Sequence, residues 1–223
     1  MSPPKIVAHT VTEINNLIGY LIETGLVNDQ NFPAVSSSIG NIWDVSFSQS
    51  EYLSIAYNDI SYEEVYEEFY ERRCFSLKFL DGGILQISFR FQDNEVLKHR
   101  LAYYPSTKLA CFSEVPESYE KDELYTEITT RKIVPFPIRF DYDPAQAQDI
   151  KHPKSHLTLG DVKYCRIPIS APLTPRWFIE FIVRCFYHLE SRDLVSNLPK
   201  SILTMPRTIT PNEEKLIHLL IPY

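Results

Sequence analysis

Apolar residues at helical spacing dominate the first part of the chain. Thr10 and Glu13 have the spacing of a capping box, and the apolar positions that follow keep a helical period until Gly25. Ser61 and Glu64 have the same spacing and open a second pattern, with aromatic residues on one side and glutamates on the other. We predict one amphipathic helix from each pattern.

Two further helices are predicted near the end of the chain. Thr174 followed by Pro175 is typical of a helix start, because proline at the first helical position loses no hydrogen bond. The run RWFIEFIVRCFYHLE that follows is apolar around most of its circumference, which predicts a long apolar helix lying across a sheet. The same start signal in TPNEE, at 210–214, predicts a closing helix that ends before Pro222.

Between these helices the pattern changes to runs of strand-forming residues. A serine-rich loop is expected around 36–38, a β-hairpin at the turn DGG (81–83), and a short helix at 121–128 within a long connection. The predicted strands are IWDVSFS, FSLKFL, ILQISFRF, VLKHRLAYY, KIVPFPIRFDY and YCRIPIS. The last two should lie at a sheet edge or carry bulges, because prolines remove ladder donors. These prolines are Pro135, Pro137 and Pro168.

This order of elements predicts an α+β fold. We expect an antiparallel sheet of about five or more strands, with helices at both ends of the chain and the long apolar helix packed on the sheet. The chain, 1–223, is interpreted as a single domain. It divides into an N-terminal helical segment (1–72), a sheet core (73–170) and C-terminal helices (174–223).

Composition narrows the class of protein. Hydrophobic residues make up 44% and charged residues 23% of 223 residues, and no run approaches the ~18 apolar residues of a membrane span. The first residues lack the basic and apolar regions of a secretory signal, so we expect a cytoplasmic protein with no membrane partner. Four cysteines without paired spacing are expected to be buried thiols. They are Cys74, Cys111, Cys165 and Cys185.

The net charge of −7 argues against a constitutive, non-specific nucleic-acid binder, because such binding depends mostly on neutralising phosphates. It leaves room for a local basic cleft. Acidic residues concentrate in YNDISYEEVYEEFYE, at 57–71, whereas the region from Lys151 to Arg166 is locally basic. The acidic, tyrosine-rich segment is either a solvated helix face or a surface that docks a partner protein.

Candidate chemistry concentrates in RFDYDPAQAQDIKHPKSHLTLG, at 139–160. On a strand, the two-residue period places Arg139, Asp141 and Asp143 on one face and apolar residues on the other. A polar loop then leads to His152 and His156. These side chains are therefore expected to converge.

Two histidines beside cations can cleave RNA without a metal. One imidazole removes the proton of a 2′-hydroxyl, the other protonates the leaving oxygen, and a cation stabilises the charged phosphorane. The acid and base roles fall to His152 and His156, and Asp141 or Asp143 would fix an imidazole tautomer. Residues expected on the phosphate are Arg139, Lys154 and Arg166. No metal or cofactor is required on this reading.

Two other readings of the same segment stay open. The histidines flank a proline turn and could simply bond backbone groups of the loop. The carboxylates and imidazoles could instead be metal ligands, with Asp161-Val162-Lys163 resembling part of a metal-dependent nuclease site. Phosphate-binding, dinucleotide-binding, hydrolase and zinc-protease motifs do not occur in the sequence. His99 and His188 are lone histidines expected to be packed or exposed.

Several runs in order resemble a known family: DGGILQ, HRLAYYPS, IVPFPIRFDYD, HPKSHLTLG and CRIPISAPLTP. Between about residues 75 and 187 the chain resembles the bacterial family of domain of unknown function 2290 (DUF2290), which implies no activity. An Arg-x-Asp pair followed by a proline-histidine cluster is also similar to the small RNase toxins of the TumE-like family, which are encoded with an antitoxin partner. That similarity places Arg139, Asp141, His152 and His156 at the site.

Two functions follow as expectations. The first is a nuclease-like effector of a bacterial toxin–antitoxin or antiphage defence system, which cleaves RNA or single-stranded nucleic acid and has a protein partner encoded nearby. The alternative is a non-catalytic protein-interaction subunit of a defence complex. In that case the acidic, tyrosine-rich segment docks the partner and the histidine segment is structural.

Overall fold

Nine strands form one antiparallel sheet in the part of the chain that the computed structural model describes, residues 2–50, 60–107, 136–160, 162, 164–187 and 193–222. The strands are β1 (Val27–Gln30), β2 (Ala34–Ser38), β3 (Ile42–Ser46), β4 (Leu77–Phe79), β5 (Ile84–Gln92), β6 (Glu95–Tyr104), β7 (Ile138–Tyr142), β8 (Ser155–Leu159) and β9 (Ile167–Pro168). Their order is β1-β4-β5-β6-β7-β8-β9, and β3 joins β5 to β2. The predicted α+β class with an antiparallel sheet is confirmed.

Three helices accompany the sheet in the described residues: α1 (Lys5–Glu23), α2 (Tyr62–Glu71) and α3 (Pro175–Phe186). The predicted capping box of α2 is present, since Ser61 and Glu64 bond each other's backbone. The Thr174–Pro175 start of α3 is also confirmed. The long apolar helix is not confirmed, because α3 has 12 residues and ends at Phe186. None of the helices within the described ranges is long and apolar enough to cross a membrane.

The predicted start of α1 is wrong. The helix begins at Lys5, so Thr10 and Glu13 lie inside it and are buried. The Thr10 hydroxyl donates to the Ile6 carbonyl, and the Glu13 carboxylate accepts from the backbone N–H groups of Arg176 and Ile202, at 3.0 Å each, and from the Ser201 hydroxyl. Glu13 therefore joins α1, α3 and the C-terminal segment, because a buried carboxylate requires such donors.

The predicted closing helix is also wrong. Only one 3-10 turn forms, Glu213–Lys215, although Thr210 and Glu213 bond each other as in a capping box. The chain then extends, because the Leu219 backbone bonds to Pro168 and Ser170 beside β9. These backbone hydrogen bonds beside β9 take the place of the predicted closing helix.

Other details of the sheet differ from the sequence prediction. The serine-rich segment is not a loop but β2, and β1 and β2 join the predicted strand β3 as sheet strands within the segment 1–72. β7 lies between β6 and β8 rather than at an edge, since Pro137 precedes the strand. β9, with Pro168, does lie at the edge. Cys74 is buried, but Cys165 is half-buried and Cys185 exposed.

Part of the prediction falls outside the described residues. This applies to the helix at 121–128, to the start of the strand KIVPFPIRFDY, and to Pro135, Cys111 and His188.

The two faces of the sheet carry different residues. Helices α1 and α3 cover one face, where Leu101, Phe140 and Leu157 oppose one another across β6, β7 and β8, and the Phe140 ring contacts two phenylalanines of α3. On the other face α2 covers the end formed by Ile84 and Tyr104. Towards β8 this second face carries polar residues, which we call the polar face.

Candidate functional site

A row of charged and titratable side chains crosses the polar face. Arg100 of β6, Asp141 of β7 and His156 of β8 are direct cross-strand neighbours, which places their side chains on one side of the sheet. The Arg100 Nε lies 3.1 Å from Asp141 Oδ1, with side-chain exposures of only 11% and 16%. Burial alone would raise the pKa of Asp141, but the charges of Arg100, Arg139 and His156 bring it below its ordinary value.

His156 is 4% exposed and is held in one tautomer. Its Nδ1 lies 2.9 Å from the Pro153 carbonyl oxygen. Because a carbonyl can only accept, Nδ1 carries the proton in the neutral ring and Nε2 carries the lone pair. Burial lowers the pKa of His156, and the charge of Asp141 partly opposes this shift. At neutral pH the ring is therefore an unprotonated base.

His152 lies beside His156. The two ring centroids are 5.0 Å apart and the rings meet edge to face at 69°. His152 is half-buried, and its pKa is lowered by burial and by the charge of Arg166, against the charges of Asp143 and Asp141. The structure thus brings the two histidines of the sequence prediction together.

Backbone and side-chain hydrogen bonds fix the position of the loop that carries His152. Gln148 and His152 exchange two backbone hydrogen bonds, of 2.8 and 2.7 Å, and the Asp143 N–H donates to the Lys154 carbonyl. The Asp149 carboxylate accepts from the Thr210 hydroxyl at 2.5 Å and from the Asn212 amide at 2.7 Å. The C-terminal segment therefore holds the tip of this loop.

The two predicted carboxylates bind cations rather than imidazoles. Lys98 Nζ lies 2.8 Å from Asp143 Oδ2, and Arg100 binds Asp141. The tautomer of His156 is consequently fixed by Pro153, not by Asp141 or Asp143 as predicted, because both carboxylates already pair with β6.

The predicted phosphate-binding cations surround the histidines. Arg166 is half-buried and close enough to lower the pKa of both His152 and His156. Arg139 is half-buried, and its Nε is buried with no hydrogen-bond partner among the residues that the structure describes. Lys154 is exposed. Their roles stay predictions.

Sequence reasoning missed Lys98 and Arg100. Both belong to the run VLKHRLAYY, and their alternation with apolar residues was the available signal. Pairing that run with the strand of Asp141 in the correct register would have placed both cations at the site.

Metal binding is not favoured by this arrangement. In the described ranges no group of three or more His, Cys, Asp or Glu side chains is placed to hold a metal ion. The carboxylates that would be ligands are paired with Lys98 and Arg100, whose charges would repel a cation. Asp161 and Lys163, part of the metal reading, lie outside the described residues.

Fold and site define an α+β protein whose antiparallel sheet carries a histidine pair and several cations on one face. The chain belongs to the family described as "Uncharacterized conserved protein (DUF2290)", whose model matches residues 26–221. This confirms the resemblance to DUF2290. Comparisons with curated proteins and with solved structures found no match. The similarity to TumE-like toxins stays a prediction.

Proposed function

We propose that this protein cleaves RNA without a metal, with His156 as the general base and His152 as the general acid. The observation that carries the proposal is the pair of imidazoles 5.0 Å apart, one of them with its tautomer fixed. Nε2 of His156 is the nitrogen with the lone pair, so it is the atom that accepts a proton.

The proposed reaction is an internal transfer at phosphorus. His156 Nε2 removes the proton of the 2′-hydroxyl, the 2′ oxygen attacks phosphorus, and the bond to the 5′ oxygen breaks. His152 donates a proton to that leaving oxygen, so the products are a 2′,3′-cyclic phosphate and a 5′-hydroxyl. Arg166, with Arg139 and Lys154, would stabilise the charge on the phosphorane.

The biological setting is part of the proposal. The similarity to TumE-like toxins favours a cytoplasmic effector of a bacterial toxin–antitoxin or antiphage defence system, with a protein partner encoded nearby. The residues of the candidate site support the chemistry, and the setting rests on that similarity alone.

The test uses three matched substrates in the presence of a chelator: single-stranded RNA, the same sequence as DNA, and the RNA with 2′-O-methyl groups. We expect cleavage of the first only, because only it has a free 2′-hydroxyl. His152→Ala and His156→Ala should each lower the rate by about 10²- to 10⁴-fold. Gln146→Ala, an exposed change in the same loop, is the control. Equal cleavage by both histidine variants and the unaltered protein would refute the proposal.

A second candidate function is a non-catalytic subunit that docks a partner protein on α2. Tyr70 of this helix is 45% exposed beside several glutamates, which favours an interface. The test is co-elution of the protein with the product of a neighbouring gene in size-exclusion chromatography, with Tyr70→Ala for comparison. Loss of the complex in this variant, together with no RNA cleavage, would favour the subunit.

A further inference from the structure

A pocket of about 450 Å³ lies between α2 and the strand β4, away from the histidines. Tyr66 and Tyr70 of α2 form one wall, and Lys78 and Leu80 form another. The turn after β4 contributes Asp81 and Gly82. Tyrosine rings and an aliphatic side chain give the pocket apolar walls, which is typical of a small-molecule or side-chain site.

Negative charge predominates around the pocket. Among the described residues, its lining includes Glu67, Glu71 and Asp81, and one basic residue, Lys78. The C-terminal end of α2 also faces this region, and its last turn has no basic residue among the ten described residues of the helix. The carbonyl end of a helix attracts cations, so the end of α2 and the acidic side chains both favour a bound cation.

The basic residues that follow α2 are engaged elsewhere. Arg72 binds Glu68, and Arg73 binds both carboxylate oxygens of Asp29 at 2.8 Å. Both arginines are therefore paired with carboxylates that do not line the pocket.

One wall already holds a cation from the chain itself. Lys78 Nζ lies 4.8 Å from the centroid of the Tyr70 ring, and the Tyr66 and Tyr70 rings lie 6.0 Å apart. An ammonium at this distance is attracted by the negative face of the ring. The aromatic wall is thus suited to an organic cation.

Asp81 lines the pocket at the turn after β4 and is itself buried. Both of its carboxylate oxygens accept from the Tyr187 hydroxyl, at 2.9 and 3.0 Å, and the Gly83 N–H donates to one of them. Burial raises the pKa of Asp81. A bound cation would favour its ionised form.

We infer that this pocket binds an organic cation, a guanidinium or alkylammonium group carried on an apolar stem. The inference is independent of the proposed RNA cleavage. A free polyamine and the arginine side chain of a partner protein share this chemistry, and the probes below distinguish them.

The experiment titrates the full chain, at low ionic strength, with N-acetyl-arginine methylamide, the uncharged isostere N-acetyl-citrulline methylamide, and spermidine, following amide chemical shifts by NMR. We expect saturable shifts at pocket residues, with the arginine probe at least about fivefold tighter than the citrulline probe. Spermidine binding tighter than the arginine probe assigns the pocket to free amines, and the reverse order to a protein side chain. Equal binding of the arginine and citrulline probes, or no saturation by any cation, would overturn the inference.

Variants separate a binding role from a structural one. Tyr70→Leu should weaken the arginine probe by about threefold, because an aromatic wall is lost. Lys78→Met should tighten it by a similar factor, since the competing ammonium leaves the Tyr70 ring. Glu63→Gln removes an exposed glutamate of α2 that does not line the pocket, and it should change affinity little. Weaker binding by Lys78→Met would contradict the proposed cation site.

Discussion

At the scale of single residues, three histidines near Asp141 differ in their surroundings. His99 lies on the covered side of β6 between the rings of Phe89 and Tyr142, whereas His152 and His156 lie on the polar face. Burial is the main cause of a lowered pKa in all three, because it removes water from the charged imidazolium. All three imidazoles are therefore mainly neutral at neutral pH. The lowered pKa of His99 affects the stability of the fold, and those of His152 and His156 affect the proposed chemistry.

The pH optimum of the proposed RNA cleavage should be acidic. Catalysis requires His156 neutral and His152 protonated, and both pKa values lie below the ordinary 6.5. The molecules with one proton on the pair are therefore most abundant below pH 6.5, and their fraction falls as the pH rises. We expect kcat/KM to be highest below pH 6.5. An optimum on the alkaline side of neutrality would contradict the assignment of the two histidines.

His99 should make stability depend on pH. Its pKa is about 4 in the folded protein, against 6.5 for an ordinary histidine, because burial removes water from the charged ring. The unfolded chain thus binds a proton between these values while the folded protein does not, so stability falls as the pH drops through this window. The His99 contribution is a loss of about 2 kcal/mol between about pH 7.5 and pH 5.

Urea unfolding of His99→Leu measures this contribution. The free energy of unfolding should fall less between the two pH values than in the unaltered protein, by about 2 kcal/mol. The comparison is between the changes in unfolding free energy with pH, so any pH-independent effect of the leucine on stability cancels. Parallel curves for His99→Leu and the unaltered protein would rule out the effect.

Residue-scale predictions from sequence succeeded where contacts were local. The two-residue period of β7 placed Arg139 and Asp141 on the polar face, and a proline turn brought His152 next to His156. The pairing of Asp141 with Arg100 joins residues 41 positions apart, and it depends on the register between β6 and β7. The alternation of apolar and polar residues along each strand does not fix the register between strands. The pairing of Lys98 and Arg100 with the two carboxylates was therefore not predicted.

At the scale of elements, the same local signal led to three different structures. Ser61 and Glu64 cap the helix α2 as predicted. Thr210 and Glu213 bond in the same way but form only one turn, because the next residues pair with the strand end near Ser170. The third pair, Thr10 and Glu13, lies inside α1, where the Glu13 carboxylate accepts hydrogen bonds from other elements. A capping signal fixes a turn, and tertiary contacts decide how far the helix continues.

The C-terminal segment should control the position of the His152 loop. Asp149→Ala removes the acceptor of the Thr210 and Asn212 bonds, which hold the tip of the loop. We expect faster hydrogen exchange at the His152 amide, which donates to Gln148 within the loop. Cleavage should fall with it, since small displacements of a catalytic group lower rates strongly. Unchanged exchange relative to Gln146→Ala would show that the loop holds its shape alone.

At the scale of the whole molecule, charge is divided between regions. The chain has a net charge of −7, and five glutamates belong to α2 alone. Near the histidines the balance is reversed. Lys98 and Arg100 form ion pairs with two carboxylates, whereas Arg139, Lys154 and Arg166 form no ion pair within 4 Å with a described carboxylate, although the charge of Arg139 acts on Asp141. An acidic protein can therefore present a local site for a polyanion.

RNA binding at this local site should depend on salt in proportion to the unpaired cations. With about three phosphates neutralised, the logarithm of the association constant should fall with the logarithm of the salt concentration at a slope of about −2 for single strands. Fluorescence anisotropy with labelled RNA and the His152→Ala variant measures binding without cleavage. Arg166→Gln should make the slope shallower by about 0.7, because one phosphate contact is lost. Lys215→Gln, a change in the 3-10 turn of the C-terminal segment, tests for a general effect of charge. If it changed the slope as much as Arg166→Gln, binding would be non-specific and the polar face would not be the RNA site.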